Sequence, residues 1–316
     1  MGDVVRPFRE RAVTFGSGRS LVGVLTAPAE LPDVDQPVIV ILNAGVIHRV
    51  GANRLHVRLA REFAPRGHLV MRFDLSGIGD SDPRGDEADL DRAVQRDVTD
   101  ALNYLESEHG ARSFIIFGLC SGANNGFRCA VADPRVTGAI LIDPTAYPTF
   151  RFYLTHFVPR LLRGQTWIRL FTGEDVRVRR FRDWITGRAV PQQLPPVPVG
   201  VPAPTKSEMD QGLGALVGRN VELLLVFTGG LVWQYNYATQ FRDTFPRHAR
   251  SEHVRVAYLP KSDHTFSAES SKTDLIEIVL AWLATNALRA RARLGVERLA
   301  RVSASLTVWW PLMAAG

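Results

Sequence analysis

The residues of this chain best suited to covalent chemistry centre on Cys120. It is the middle of Gly118-Leu119-Cys120-Ser121-Gly122, which follows an apolar run from Phe114 to Phe117 and precedes a segment of helical pattern. A thiolate is a strong nucleophile near neutral pH, and small residues on either side let a strand turn sharply into a helix with the central side chain exposed. Ser121 is the rival nucleophile. In its register the flanking positions would be Leu119 and Ala123, and leucine is too bulky for such a turn. The reading without chemistry is an ordinary strand-to-helix turn around a buried thiol, since free cysteine packs as a small hydrophobe. The second cysteine, Cys129, lies nine residues further on. On a helix turning about 100° per residue the two fall on roughly opposite faces, so no disulfide is expected. A nucleophile of this kind needs a base for its proton, a carboxylate to orient that base, and N–H donors for an oxyanion. The eight histidines are scattered, and neither a metal nor a cofactor is expected.

The elements that must position these groups are legible in the hydrophobic pattern. RAVTFGSGRSLVGVLTAP alternates around Gly16 and Gly18 and reads as an antiparallel hairpin. PVIVILNAG is a β-branched run suited to a buried parallel strand. Leu55 to Phe63 has helical spacing and ends at Pro65-Arg66-Gly67. HLVMRFDLSGIGDSD is a strand running into a glycine-containing loop. Leu90, Val94, Val98, Leu102 and Leu105 form a helical stripe ended by Gly110. SFIIFG is a strand, GANNGFRCAVAD a helix stopped before Pro134, and VTGAILID a strand. VELLLVFTGG and VRVAYLPKSDH continue the pattern, and TDLIEIVLAWLATNAL closes it as a long helix. Alternation of this kind predicts an α/β fold with a mostly parallel central sheet and helices on both faces. Residues 145–215, rich in aromatics and Arg and containing VPQQLPPVPVGVPAPT, do not suit a central sheet. They are read as an inserted helical cap, leaving 1–144 and 216–316 as the core. Such a cap covers the C-terminal edge of the sheet, where open α/β folds place their ligands.

The order of strands, the Gly-Leu-Cys-Ser-Gly turn, R-F-D-L-S-G-I-G-D-S after the preceding strand and D-H-T-F near the end resemble the α/β-hydrolase superfamily over roughly residues 12–285. The chain is most similar to serine-aminopeptidase-like and exosortase-associated hydrolases, some of which carry Gly-Leu-Cys at this turn. Cysteine nucleophiles on the fold also resemble those of dienelactone hydrolases, polyhydroxyalkanoate synthases and Dieckmann cyclases. The resemblance implies a triad in the chain order nucleophile, acid, base, and so makes His264 the base. His48 precedes the nucleophile and is placed at the rim of the pocket. Many members carry the acid after the strand that here reads LLLVFTGG, yet no carboxylate follows it. The other station is one strand earlier, where Asp143 stands; its alternative is a turn residue before Pro144. Asp263 adjoins His264 and is not expected to orient it. The oxyanion donors are expected to be the N–H groups of Ser121 and Val46, with Gly45 clearing the approach. Asp74, Gly77, Gly79 and Ser81 match a D-x-x-G-x-G-x-S loop read as structural. It is not a dinucleotide fingerprint, because the third glycine is absent, and Gly212-x-Gly214-x-x-x-Gly218 fails because no strand precedes it.

The chain carries a formal charge of +6. Ten Lys or Arg stand against five Asp or Glu between Thr145 and Gly212, so the excess is local. No nucleic-acid motif accompanies it. Arg177, Arg179, Arg180 and Arg182 of the cap, with Trp233, are candidate substrate contacts. The arginines could meet coenzyme A phosphates, phosphopantetheine or an acidic acyl carrier protein; the alternative is a set of solvated helix faces. No run of about 18 apolar residues occurs and the first residues lack an apolar leader, so a cytoplasmic protein is expected. The expected function is acyl processing, as a thioesterase or esterase working through an acyl-cysteine. Acyl transfer or Dieckmann-type cyclisation of a carrier-bound chain shares the same first half-reaction. A non-catalytic binding protein on the same scaffold is the alternative of another class, supported by the carboxylate missing after LLLVFTGG. The Arg-rich end with Trp309 and Trp310 could pack on the core or touch a membrane or another subunit.

Overall fold

The computed structural model describes residues 8–29, 36–84, 89–161 and 202–287. Eight strands form one sheet: β1 (Phe8–Phe15), β2 (Leu21–Pro28), β3 (Val38–Ile41), β4 (Val70–Phe73), β5 (Phe114–Leu119), β6 (Val136–Ile142), β7 (Glu222–Thr228) and β8 (Val254–Leu259). Their spatial order is β1-β2-β4-β3-β5-β6-β7-β8. The hairpin β1–β2 is antiparallel and joins β4 antiparallel, while every pairing from β4 onward is parallel. The helices are α1 (Leu55–Phe63), α2 (Leu90–His109), α3 (Ser121–Ala132), α4 (Phe150–Leu161), α5 (Lys206–Gly218), α6 (Gln240–Thr244) and α7 over residues 269–287.

The continuous apolar strands are explained by burial on both faces. Side chains alternate across a strand, and the core divides accordingly. Val38, Val40, Phe114, Ile116, Ala139, Leu141, Leu223 and Leu225 face one cluster, which takes Val98, Leu102 and Leu105 from α2, Phe127 from α3, and Met209, Leu213 and Leu216 from α5. Ile39, Ile41, Ile115, Phe117, Ile140, Ile142, Leu224 and Val226 face the other, with Leu55, Leu59 and Phe63 of α1 and Leu275, Val279 and Trp282 of α7. The helix ends carry their own signals. Asp89 caps α2 through the N–H of Asp91, and Gly110 ends it in the left-handed region. Thr205 and Glu208 form a reciprocal capping box at the start of α5.

Helix α5 redraws one expected boundary. An insertion reaching residue 215 would end inside this helix, yet its Met209, Leu213 and Leu216 belong to the main core. Lys206–Gly218 is the crossover helix between β6 and β7, and Gly212 lies against the Phe127 ring of α3. The central cap residues, including Arg177, Arg179, Arg180 and Arg182, lie outside the described residues, as do Trp309 and Trp310. No helix among the described residues is long and apolar enough to cross a membrane.

Candidate active site

Cys120 occupies the turn from β5 into α3 with φ 60° and ψ −120°. A non-glycine residue with positive φ is strained, and such strain persists where surrounding structure over-determines it. Here the close approaches on either side do so. A Cβ on Gly118 would overlap the Gly122 carbonyl, and one on Gly122 would overlap the carbonyl of Asn43 on the neighbouring chain segment. The turn is therefore possible only with glycine at both positions, and it lifts a half-buried thiol at the N-terminus of α3. Cys129 is buried further along α3, where burial pushes its thiol up to about 12.

The expected acid and base come together on this thiol. His264 Nδ1 lies 2.7 Å from Asp143 Oδ2, and the His264 ring is the chief influence on the Cys120 thiol. Asp143 leaves the end of β6 with φ 46°, and its side chain is 1% exposed. Its carboxylate is held by the backbone N–H of Thr228, donating to Oδ1 at 2.7 Å, and by the Thr228 hydroxyl, donating to Oδ2 at 2.7 Å. The His264 hydrogen bond holds the Cys120 thiol below its usual range against the effect of burial, with a further N–H bond from Ser121. In turn Asp143, and then Cys120, raise the His264 ring to about 10. The two groups thus shift in opposite directions, the thiol down and the ring up. The N-terminus of α3 adds a favourable dipole for the anion.

The loop glycines after β7 explain the absent carboxylate. A Cβ on Gly229 would overlap the Pro260 carbonyl, and one on Gly230 would overlap the backbone N of His264. The loops after β7 and β8 pack so closely that no side chain fits at those two positions. Asp263 does not orient the histidine. Its carboxylate accepts from the N–H and hydroxyl groups of Thr265 and Ser267, with distances of 2.6–3.2 Å, and so closes the loop that carries His264. Asn53 Nδ2 donates to the Thr265 carbonyl at 3.0 Å, tying that loop to the segment after β3.

The two expected oxyanion donors stand at the start of α3, Ser121, and on the loop after β3, Val46. The amide that meets the turn from the β3 side is that of Gly45, which donates to Ser121 Oγ at 2.7 Å. Val46 stands at the tip of a turn closed by the Ile47 N–H donating to the Ala44 carbonyl, and it is 64% exposed. Asn43 sets this turn: its Nδ2 donates to the Ile47 carbonyl at 2.9 Å, and its Oδ1 accepts from the Leu75 N–H at 2.8 Å. His48 is exposed on the same loop, and Trp233, 61% exposed, stands on the loop after β7. Asp74 is buried, and its carboxylate accepts from Asn43, from the N–H of Asp80 and from the backbone and guanidinium of Arg49. The D-x-x-G-x-G-x-S loop is a structural clamp on the β3 loop.

Sequence reasoning missed Thr228 and Arg49. Thr228 carries no signal of its own, since a threonine ending a strand is ordinary. No group of three or more potential metal ligands occurs among the described residues.

Residues 38–182 match the family model of the serine aminopeptidases, S33. No curated protein matches the chain. Among solved structures, the proline iminopeptidase of Mycobacterium smegmatis is 16% identical, with a TM-score of 0.57 over 89% of this chain and 100% of that one. The naproxen esterase of Bacillus subtilis is 15% identical, with a TM-score of 0.53 over 88% and 92%. An esterase of Pyrococcus furiosus is 11% identical, with a TM-score of 0.54 over 89% and 91%. The parallel sheet, the strained turn after β5 and these likenesses together show that the chain has the α/β-hydrolase fold.

Proposed function

We propose that the chain is an acyl hydrolase of thioesterase or esterase type working through an acyl-Cys120 intermediate, with His264 as base and Asp143 as the carboxylate that orients it. The observation that supports this reading is the 2.7 Å contact of His264 Nδ1 with the buried Asp143 carboxylate, on a ring that lowers the Cys120 thiol. The thiolate attacks the carbonyl carbon and the C=O pair moves to oxygen. Collapse expels the leaving group, which takes its proton from the His264 imidazolium; water activated by the same ring then releases the acid. Asp143 fixes the ring tautomer and stabilises the imidazolium. The match to a hydrolase family and the likeness to esterases support the hydrolytic class. A thiolate suits thioesters, because attacking and leaving atoms are both sulfur, so coenzyme A or carrier-bound acyl groups are the proposed substrates. The carboxylate missing after β7 favoured a binding protein; the Asp143–His264 contact favours the enzyme instead.

The test is the intact mass of the protein after exposure to a panel of acyl thioesters. A single acyl increment on Cys120, absent in Cys120→Ala together with turnover, is expected. An adduct on Ser121, or turnover surviving in Cys120→Ala, would overturn the reading.

A further inference from the structure

The Ser121 hydroxyl belongs to the residue after the proposed nucleophile and meets the loop after β3. Its Oγ accepts the Gly45 N–H at 2.7 Å, within the range found between amide donors and a reacting oxygen. The Gly45 hydrogen is therefore already covered in the free protein, and a substrate oxygen could use it directly only by expelling the hydroxyl. The oxygen of Ser121 is engaged as an acceptor, which leaves its own proton to be donated. Gly45 leaves the other side clear: with φ 58°, a Cβ built there would meet nothing within 4 Å.

Resting on the acyl-Cys120 reading, we infer that Ser121 is a catalytic residue in its own right. Its hydroxyl donates to the oxyanion, and the Gly45 amide acts through it rather than on the substrate. As the thiolate–carbon bond forms and the C=O pair localises on oxygen, that oxygen receives hydrogen bonds from the Ser121 N–H and the Ser121 O–H, with no proton transferred. The Gly45 N–H polarises the hydroxyl, because hydrogen bonds in a chain strengthen one another. When the C=O bond re-forms and the leaving group departs, the hydroxyl keeps its proton.

The relay is separable from a structural role for the same serine. Ser121→Ala is expected to slow acylation of Cys120 by an acyl thioester about 10²-fold, as loss of one oxyanion donor does, with KM changed less than about twofold. A trifluoromethyl ketone, which forms a tetrahedral adduct with a thiolate, should lose affinity by the same factor as kcat/KM falls, while a carboxylic acid product binds as before. Ser121→Thr, which keeps the hydroxyl, should recover most of the rate. Wild-type or faster acylation in Ser121→Ala would make the hydroxyl a mere plug of the Gly45 amide and overturn the inference. Equal losses for ketone and product acid would make it structural and do the same. Absence of any Cys120 adduct in the unsubstituted protein would bring down the acyl-cysteine reading itself, and the relay with it.

Discussion

Cys120 and Cys129 sit in one helix region and differ in every property that governs thiol reactivity. Cys120 is half-buried and paired with a cationic ring; Cys129 is buried among core side chains. Thiolate fraction and access set the rate of alkylation. Iodoacetamide should therefore label Cys120 alone in the native protein, and labelling should persist below the pH range of ordinary thiols. Comparable labelling of both cysteines before unfolding, read by peptide mass, would contradict this. Asp143→Asn should lower kcat by about 10⁴-fold, the size of loss that follows when a triad histidine is left with the wrong tautomer. Its other partner, Thr228, would still face a polar side chain of the same shape, so the fold should survive. A near-wild-type kcat would place the orienting carboxylate elsewhere.

At the scale of elements, the site depends on how closely strands and loops approach. The loops after β7 and β8 touch through Gly230 and the backbone of His264. In Gly230→Ala the new methyl group has to push the His264 loop aside. That loop is anchored by buried Phe266 and by the Asp263 hydrogen bonds, so the displacement should be local. A shift approaching 1 Å in a reacting group can cost about 10²-fold in rate, so kcat should fall by that order while far-ultraviolet circular dichroism stays unchanged. Retained activity would mean that the loop yields without moving the ring.

At the scale of the whole molecule, two histidines outside the proposed chemistry, His56 and His68, bear on stability. His56 is enclosed under the loop at Gly51 and against Phe117, and neither ring nitrogen has a hydrogen-bond partner in the protein. Burial lowers both His56 and His68 to about 4. Their folded values lie below that of an exposed histidine, about 6.5, so the unfolded chain binds more protons between pH 6.5 and about 4. Their stabilisation is thus fully present above pH 6.5 and is lost as pH falls toward 4, by about 3 kcal/mol each. Against a total stability of about 5–15 kcal/mol this is a large share. His264 acts in the opposite direction: its raised value stabilises fully below pH 6.5, and the effect is lost as pH rises through about 10. Urea midpoints should fall steeply from pH 6.5 to 4.5; a flat profile would show that the two buried rings find proton acceptors on titration.

The hydrophobic alternation in this chain determined the parallel sheet, the helices on its two faces and the turn at Cys120, because period-2 and period-3.6 patterns are local. The same local logic placed His264 just after the last strand and marked Asp143 as a carboxylate at a strand end. Contacts between residues distant in sequence were decided only by the tertiary structure. Thr228 holds Asp143 from a neighbouring strand 85 residues away, and Gly45 meets Ser121 across 76. The shape of the loop that carries Gly45 and Val46 also follows from Asn43 and Asp74, which clamp it in part through contacts distant in sequence. The end of the inserted segment was likewise invisible to composition. Helix α5 is assigned to the core by what Met209, Leu213 and Leu216 pack against, and packing partners are a property of the folded chain rather than of any window along it.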